Sequence, residues 1–247
     1  MPRLNDGMEK HGTGHFGFSG TRISDLGATE YTLVTIAMDM SSSVSSFVDA
    51  EIKALKEIVK ACKHSPRADN LMIRLTQFAN GLTELHGFKL LSEINVDDYD
   101  KIFQVGGMTA LFDASENAVS STACYGKKLL ENDFNVNGIV FVLTDGDDNI
   151  SKLPVSHVKD AFQYALKEET LESLVSVLIG VNVQDPTLSQ RLKDFKDKAG
   201  FTQYIEVDNA SAKTLAKLAE FVSKSISSQS QSLGSGGASQ NLPSLSI

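Results

Sequence analysis

Apolar residues fall along this chain in two alternating rhythms. Short, nearly continuous apolar runs stand at YTLVTIAM (31–38), LMIRLTQFA (71–79), GIVFVLT (138–144), SLVSVLIGV (173–181) and TQYIEV (202–207). Between them apolar residues recur every three or four positions: Val48, Ile52, Leu55, Val59 and Cys62; Leu111, Ala114, Ala118, Thr122, Tyr125 and Leu129; Leu188, Leu192, Phe195 and Ala199. The runs predict strands and the stripes predict one-sided helices, an alternation that belongs to α/β architecture with a mostly parallel sheet. The first, third and fourth runs are apolar nearly throughout, as expected for central strands covered on both faces. TELHGFKLL (83–91) follows its predecessor after Asn80-Gly81, a dipeptide that favours a tight turn, and is therefore expected to be an antiparallel edge strand. One more helix is expected around 155–167. Leu215, Leu218, Ala219, Val222 and Ile226 mark a closing helix.

This pattern occupies residues 30–227, which predicts one domain there. The chain has 247 residues, 41% of them hydrophobic, enough to bury a substantial core. Residues 1–29 carry Gly7, Gly12, Gly14, Gly17, Gly20 and Gly27 among few apolar side chains, and are expected to be a flexible arm. Residues 228–247 are rich in Ser, Gly and Gln, the composition of a flexible tail.

Charge and sulfur narrow the function. The formal net charge of −8 argues against nucleic acid and anionic membranes as partners. Cys62 and Cys124 both fall inside stretches that read as helix, where they read as small apolar residues in a reducing compartment. No apolar run approaches the roughly 18 residues of a membrane helix, and the first residues lack the core of a secretory signal. A soluble, cytoplasmic protein is expected.

The candidate chemistry lies where strands end. Asp39-Met40-Ser41-Ser42-Ser43 follows the first apolar strand and offers one carboxylate and two hydroxyls at alternate positions. Thr144-Asp145-Gly146 places a second carboxylate after the third apolar strand. Open α/β sheets bind ligands at such carboxyl ends. Gly106-Gly107-Met108-Thr109 precedes a helix, and its glycines allow a close loop that brings the Thr109 hydroxyl to the same crevice. Asp39, Ser41, Ser43, Thr109 and Asp145 thus form an oxygen-only set with two formal charges, suited to Mg²⁺, or to Mn²⁺ or Ca²⁺, and not to zinc or copper, since no Cys or His accompanies them.

DMSSS, GGMT and TDG, in that order, resemble the metal-ion-dependent adhesion site of von Willebrand factor type A (vWA) domains, and the strand–helix pattern is similar to that family from about residue 30 to 226. The resemblance implies a doubly wound, six-stranded, mostly parallel sheet of order 3-2-1-4-5-6, with helices on both faces and one antiparallel edge strand. It implies direct coordination by Ser41, Ser43 and, in some states, Thr109, with Asp39 and Asp145 acting largely through water. It further implies that a Glu or Asp of a protein partner completes the shell. Among vWA proteins the chain resembles the intracellular, bacterial or phage-like branch. That branch serves multiprotein assemblies, including those with AAA+ ATPases and tellurite-resistance-type stress systems.

Competing readings of the same residues are weaker. Asp and Ser also cap helices, but capping does not account for three separated elements together. Asp145-Gly-Asp147-Asp148-Asn149 opens like an EF-hand loop, yet Ile150 stands where Gly belongs and Ser156 where Glu belongs. Asp147 and Asp148 read as turn residues outside the ligand set. Gly12-Thr13-Gly14-His15-Phe16-Gly17 matches a dinucleotide fingerprint by letter, without the strand and helix it requires. His11 and His15 are set among glycines that oppose a chelating helix, and His64, His86 and His157 read as scattered, solvent-facing or structural. A metal-dependent hydrolase or phosphatase would ordinarily show D-x-D or a poised base, and Ser41 stands at the D-x-D position. A structural subunit with a rigidifying metal is the remaining alternative. The expectation is a non-enzymatic binding module.

Overall fold

The computed structural model describes residues 8–12, 16–167 and 170–235. Its sheet contains β1 (Glu9–Gly12), β2 (Gly17–Gly20), β3 (Glu30–Asp39), β4 (Leu71–Phe78), β5 (Leu82–Leu90), β6 (Asn135–Thr144), β7 (Ser173–Val181) and β8 (Gln203–Val207). The helices are α1 (Val48–Lys63), α2 (Leu111–Leu130), α3 (Val155–Lys167), α4 (Pro186–Ala199) and α5 (Ala212–Gly234). All six expected strands and all five expected helices are present. The strand order is β1-β2-β5-β4-β3-β6-β7-β8, so the six expected strands run in the expected order. β4 and β5 pair antiparallel, and β3, β4, β6, β7 and β8 are parallel to their neighbours among one another.

Alternation along β3 builds both halves of the core. Val34, Ile36 and Met38 face α1 and α5, while Ala37 faces the layer of α2, α3 and α4. One polar pair ties the sheet to its covering helix: Thr35 Oγ1 lies 2.7 Å from Thr122 Oγ1 of α2. Cys62 and Cys124 are both unpaired thiols, in α1 and α2 as expected. Among the described residues no helix is long and apolar enough to cross a membrane.

The sheet has eight strands where six were expected, and β5 is not its edge. Residues 9–12 and 17–20, which fall in the expected flexible arm, pair antiparallel and attach alongside β5. The glycines that suggested flexibility serve close approach. A Cβ on Gly87 would lie 2.1 Å from the Ser19 carbonyl oxygen, and one on Gly20 would lie 2.7 Å from the Tyr125 ring. Phe18 then packs edge-on against Phe88 and Tyr125, and the Tyr125 hydroxyl donates to the Thr21 carbonyl at 2.6 Å. His11 lies in β1 and not on a helix, whereas His15 lies outside the described residues.

The closing helix also outruns its expected end, since α5 continues through residues 228–234, assigned above to a flexible tail. Bonds from neighbouring elements hold this segment against the fold. Arg67 Nε donates to Ser230 Oγ at 3.1 Å, and Asn137 Nδ2 donates to the Gln229 carbonyl at 2.8 Å. Residues 236–247 lie outside the described residues.

Candidate functional site

Three loops meet at the carboxyl end of the sheet, above the point where neighbours are added to opposite sides of β3. Asp39 ends β3 and is almost completely buried, with 2% exposure. Its Oδ1 accepts from the Ser41 amide at 2.9 Å, and its Oδ2 accepts from the Thr144 hydroxyl at 2.7 Å. Thr144 ends β6, so a hydrogen bond between strand ends fixes the carboxylate. Ser41 opens a short 3-10 turn without capping it, and the following helix α1 has no side-chain cap either. Capping is therefore not the role of these serines. Ser41 Oγ instead lies 3.1 Å from Ser43 Oγ, and Ser43 Oγ donates to Asp145 Oδ1 at 2.8 Å.

Thr109 reaches the same place from the third loop. A Cβ on Gly146 would sit 3.6 Å from Thr109 Oγ1, which puts that hydroxyl against the Asp145 turn. The Thr109 backbone is clamped by Asn149: its amide donates to Asn149 Oδ1 at 2.8 Å, and its carbonyl accepts from the Asn149 amide at 3.0 Å. All five residues selected from the sequence thus stand together on one rim.

The glycine loop is locked to the first loop in both directions. The Ser42 amide donates to the Gly107 carbonyl at 3.1 Å, and the Gly107 amide donates to Ser42 Oγ at 3.0 Å. Gly106 and Gly107 have φ of 143° and 93°, and a Cβ on Gly107 would lie 2.7 Å from the Asn80 side chain. That side chain holds the Met108 amide at 2.8 Å. Gly107→Ala is therefore expected to cost about 2 kcal/mol and to weaken cation binding by displacing Thr109. Thermal denaturation and cation titration of the variant check both.

Asp147 and Asp148 stay out of the oxygen set. Asp147 Oδ2 accepts from Arg191 at 3.3 Å, and Asp148 Oδ1 accepts from the Phe112 amide at 3.1 Å at the start of α2. His86 is structural: its ring nitrogens contact the Gly87 carbonyl at 2.9 Å and the Tyr99 hydroxyl at 2.8 Å, and burial pushes its pKa down to about 4.

The sequence reading did not single out Glu51. It lies on α1, is only 5% exposed, and lines a small cavity of about 20 Å³ with Ile36, Met38 and Leu143. Burial holds its carboxyl well above the usual range, and the negative charges of Asp145 and Asp39 add to the rise. Its position was legible: three residues after Val48 and four before Leu55, it falls on the core-facing stripe of its helix. Burial likewise pushes Asp39 up to about 6, against the hydrogen bonds from Thr144 and Ser41, while Asp145 adds repulsion. Asp145 is raised as well, chiefly by burial.

Among the described residues, no Lys or Arg forms an ion pair with Asp39, Asp145 or Glu51. Nor does any group of three or more His, Cys, Asp and Glu side chains stand ready to chelate a metal alone. A cation at this rim would depend on hydroxyl oxygens beside Asp39 and Asp145. This donor set fits a hard divalent ion.

No family model matches the sequence, and no curated protein matches it. Solved structures do match in fold. A mutant of the PilB minor pilin from Streptococcus sanguinis superposes with a TM-score of 0.60 at 12% identity, over 88% of this chain and 66% of that one. The SpaC pilus adhesin from Lactobacillus rhamnosus GG, in an open conformation, gives 0.58 at 11% identity, over 90% of this chain and 33% of that one. Proximal thread matrix protein 1 from the mussel byssus, solved with a zinc-occupied MIDAS motif, gives 0.53 at 22% identity, over 79% of this chain and 46% of that one. The chain thus spans between one third and two thirds of the length of these structures. The likeness is one of fold: the chain shares with these structures an open, mostly parallel α/β sheet flanked by helices.

Proposed function

We propose that this chain is a divalent-cation-dependent protein-interaction module, in which Asp39, Ser41, Ser43, Thr109 and Asp145 hold the ion and a Glu or Asp of a partner protein completes its shell. One observation carries this reading: the buried carboxylate of Asp39 and the half-buried one of Asp145 meet at a rim without a basic side chain to neutralise them. Buried negative charge that lacks a counter-ion is costly, and a bound cation removes that cost. The zinc-occupied MIDAS of the mussel protein supports a divalent ion on this fold, and the hardness of the oxygen donors favours Mg²⁺.

Titration calorimetry with Mg²⁺, Mn²⁺, Ca²⁺ and Zn²⁺ tests the proposal. The wild type is expected to bind one ion, with Mg²⁺ or Mn²⁺ preferred, and Thr109→Ala to bind it at least tenfold more weakly. Equal Mg²⁺ affinity in wild type and Thr109→Ala would remove Thr109 from the site. A pulldown in the presence of chelator separates an interaction site from a metal that only stiffens the rim, because only the former loses its partner.

A further inference from the structure

Five large hydrophobic side chains are exposed among the described residues, and three of them lie on the loops that carry Thr109 and Asp145: Val105 at 39%, Met108 at 45% and Ile150 at 38%. Each is one residue away from a backbone contact that builds the rim. Val105 precedes Gly106, whose amide donates to the Met40 carbonyl at 2.8 Å. Met108 precedes Thr109, and its own amide is held by Asn80. Ile150 follows Asn149, which grips Thr109 from both sides. These side chains therefore sit on two loops with little freedom to fold them inward.

We infer that the rim is an apolar collar around the cation, and that the partner presents its acidic residue within a segment whose flanking side chains are apolar. This rests on the proposed function and specifies the chemistry of the partner. Charge complementarity sets the centre, because a carboxylate is attracted to the ion in a rim where Asp39, Asp145 and Asp148 form no ion pair among the described residues. Acidic flanks would be repelled by those same aspartates. Apolar flanks would instead cover Val105, Met108 and Ile150 and exclude water from the ion–carboxylate contact, which strengthens it.

The test is selection from a displayed library of short peptides with glutamate fixed at the centre and random flanks, against the full chain in Mg²⁺. The expected result is enrichment of apolar residues on the flanks of peptides that chelator releases. Met108→Ser and Ile150→Ser should each weaken the selected peptide about tenfold, since roughly half a large side chain loses its cover, while Mg²⁺ titration of both variants stays at the wild-type value. Chelator-released peptides with polar or charged flanks, or peptide affinity unmoved by the two substitutions, would overturn the inference and leave the metal site standing. Absence of Mg²⁺ binding to the wild type would instead bring down the proposed function, and the inference with it.

Discussion

Asp39→Asn is expected to abolish divalent-cation binding and, at the same time, to stabilise the metal-free protein. The two effects have one cause. Asp39 is buried, with its pKa pushed up to about 6 from the ordinary 3.8, so the folded metal-free protein holds this carboxyl less readily ionised than the unfolded chain does. A raised carboxyl pKa means that the folded state bears no penalty below the unfolded pKa, accumulates one as pH rises between about 4 and 6, and carries it in full above that. At neutral pH the penalty is about 3 kcal/mol. Asparagine keeps an oxygen for the Ser41 amide and offers an N–H towards Thr144 Oγ1, so most of the local bonding survives without the charge. The variant should melt several degrees above wild type in chelator, roughly 5 °C, and below wild type in saturating Mg²⁺. A variant that is less stable than wild type in chelator would show that Asp39 is not under electrostatic strain.

The same carboxyl predicts how cation binding depends on pH. An ion binds the ionised form, so affinity for Mg²⁺ should be level above about pH 7 and fall roughly tenfold per pH unit once Asp39 is protonated, below about 6. The raised pKa of Asp145, in the same oxygen set, acts in the same direction. Titration calorimetry in buffers of different ionisation enthalpy measures the protons released on binding. Binding that takes up no fewer protons at pH 5.5 than at 7.5, with unchanged affinity, would contradict the assignment of Asp39 to the site.

What could be read in the sequence was whatever repeats locally or sits at a strand end. β3, β6 and β7 are runs of apolar residues too long and too uniform for any but central strands, and Asp39 and Asp145 follow the first two of them directly. The residues that hold those ligands in place were hidden because their partners are distant in sequence: Asn149 reaches Thr109 across 40 positions, and Asn80 reaches Met108 across 28. No periodicity encodes such bonds. The terminal elements were misread for a different reason. Gly20 and Gly87 permit backbone to approach ring or carbonyl oxygen, whereas composition reports them only as freedom. Arg67 meets the buried Ser230 hydroxyl and Asn137 holds the main-chain carbonyl of Gln229, and a polar composition says nothing about such partners.

Glu84→Ala is expected to destabilise the fold by about 3 kcal/mol or more. Arg74 lies in the middle of β4 with 0% exposure, and burial lowers its pKa despite the favourable charge of Glu84. Every nitrogen of its guanidinium is engaged: Nε with Glu84 Oε2 at 2.7 Å, Nη1 with Ser121 Oγ at 3.1 Å, and Nη2 with Asn117 Oδ1 at 2.8 Å. Only Glu84 carries the opposing charge, so its loss strands a buried cation. Glu84 also accepts from the Ser19 amide at 3.2 Å and from Ser19 Oγ at 2.5 Å, which fastens β2 beside β5. Two consequences can be separated. Ser19→Ala should cost about 1 kcal/mol and open the β1–β2 hairpin to limited proteolysis while leaving the core intact. Glu84→Ala should do both and lower global stability. Replacing the pair together, Arg74→Met with Glu84→Leu, removes both the stranded charge and its counter-ion, and is expected to recover most of the loss in urea denaturation. A double variant no more stable than Glu84→Ala alone would mean that the cost arises from lost packing or from the hairpin contacts, and not from the uncompensated charge of Arg74.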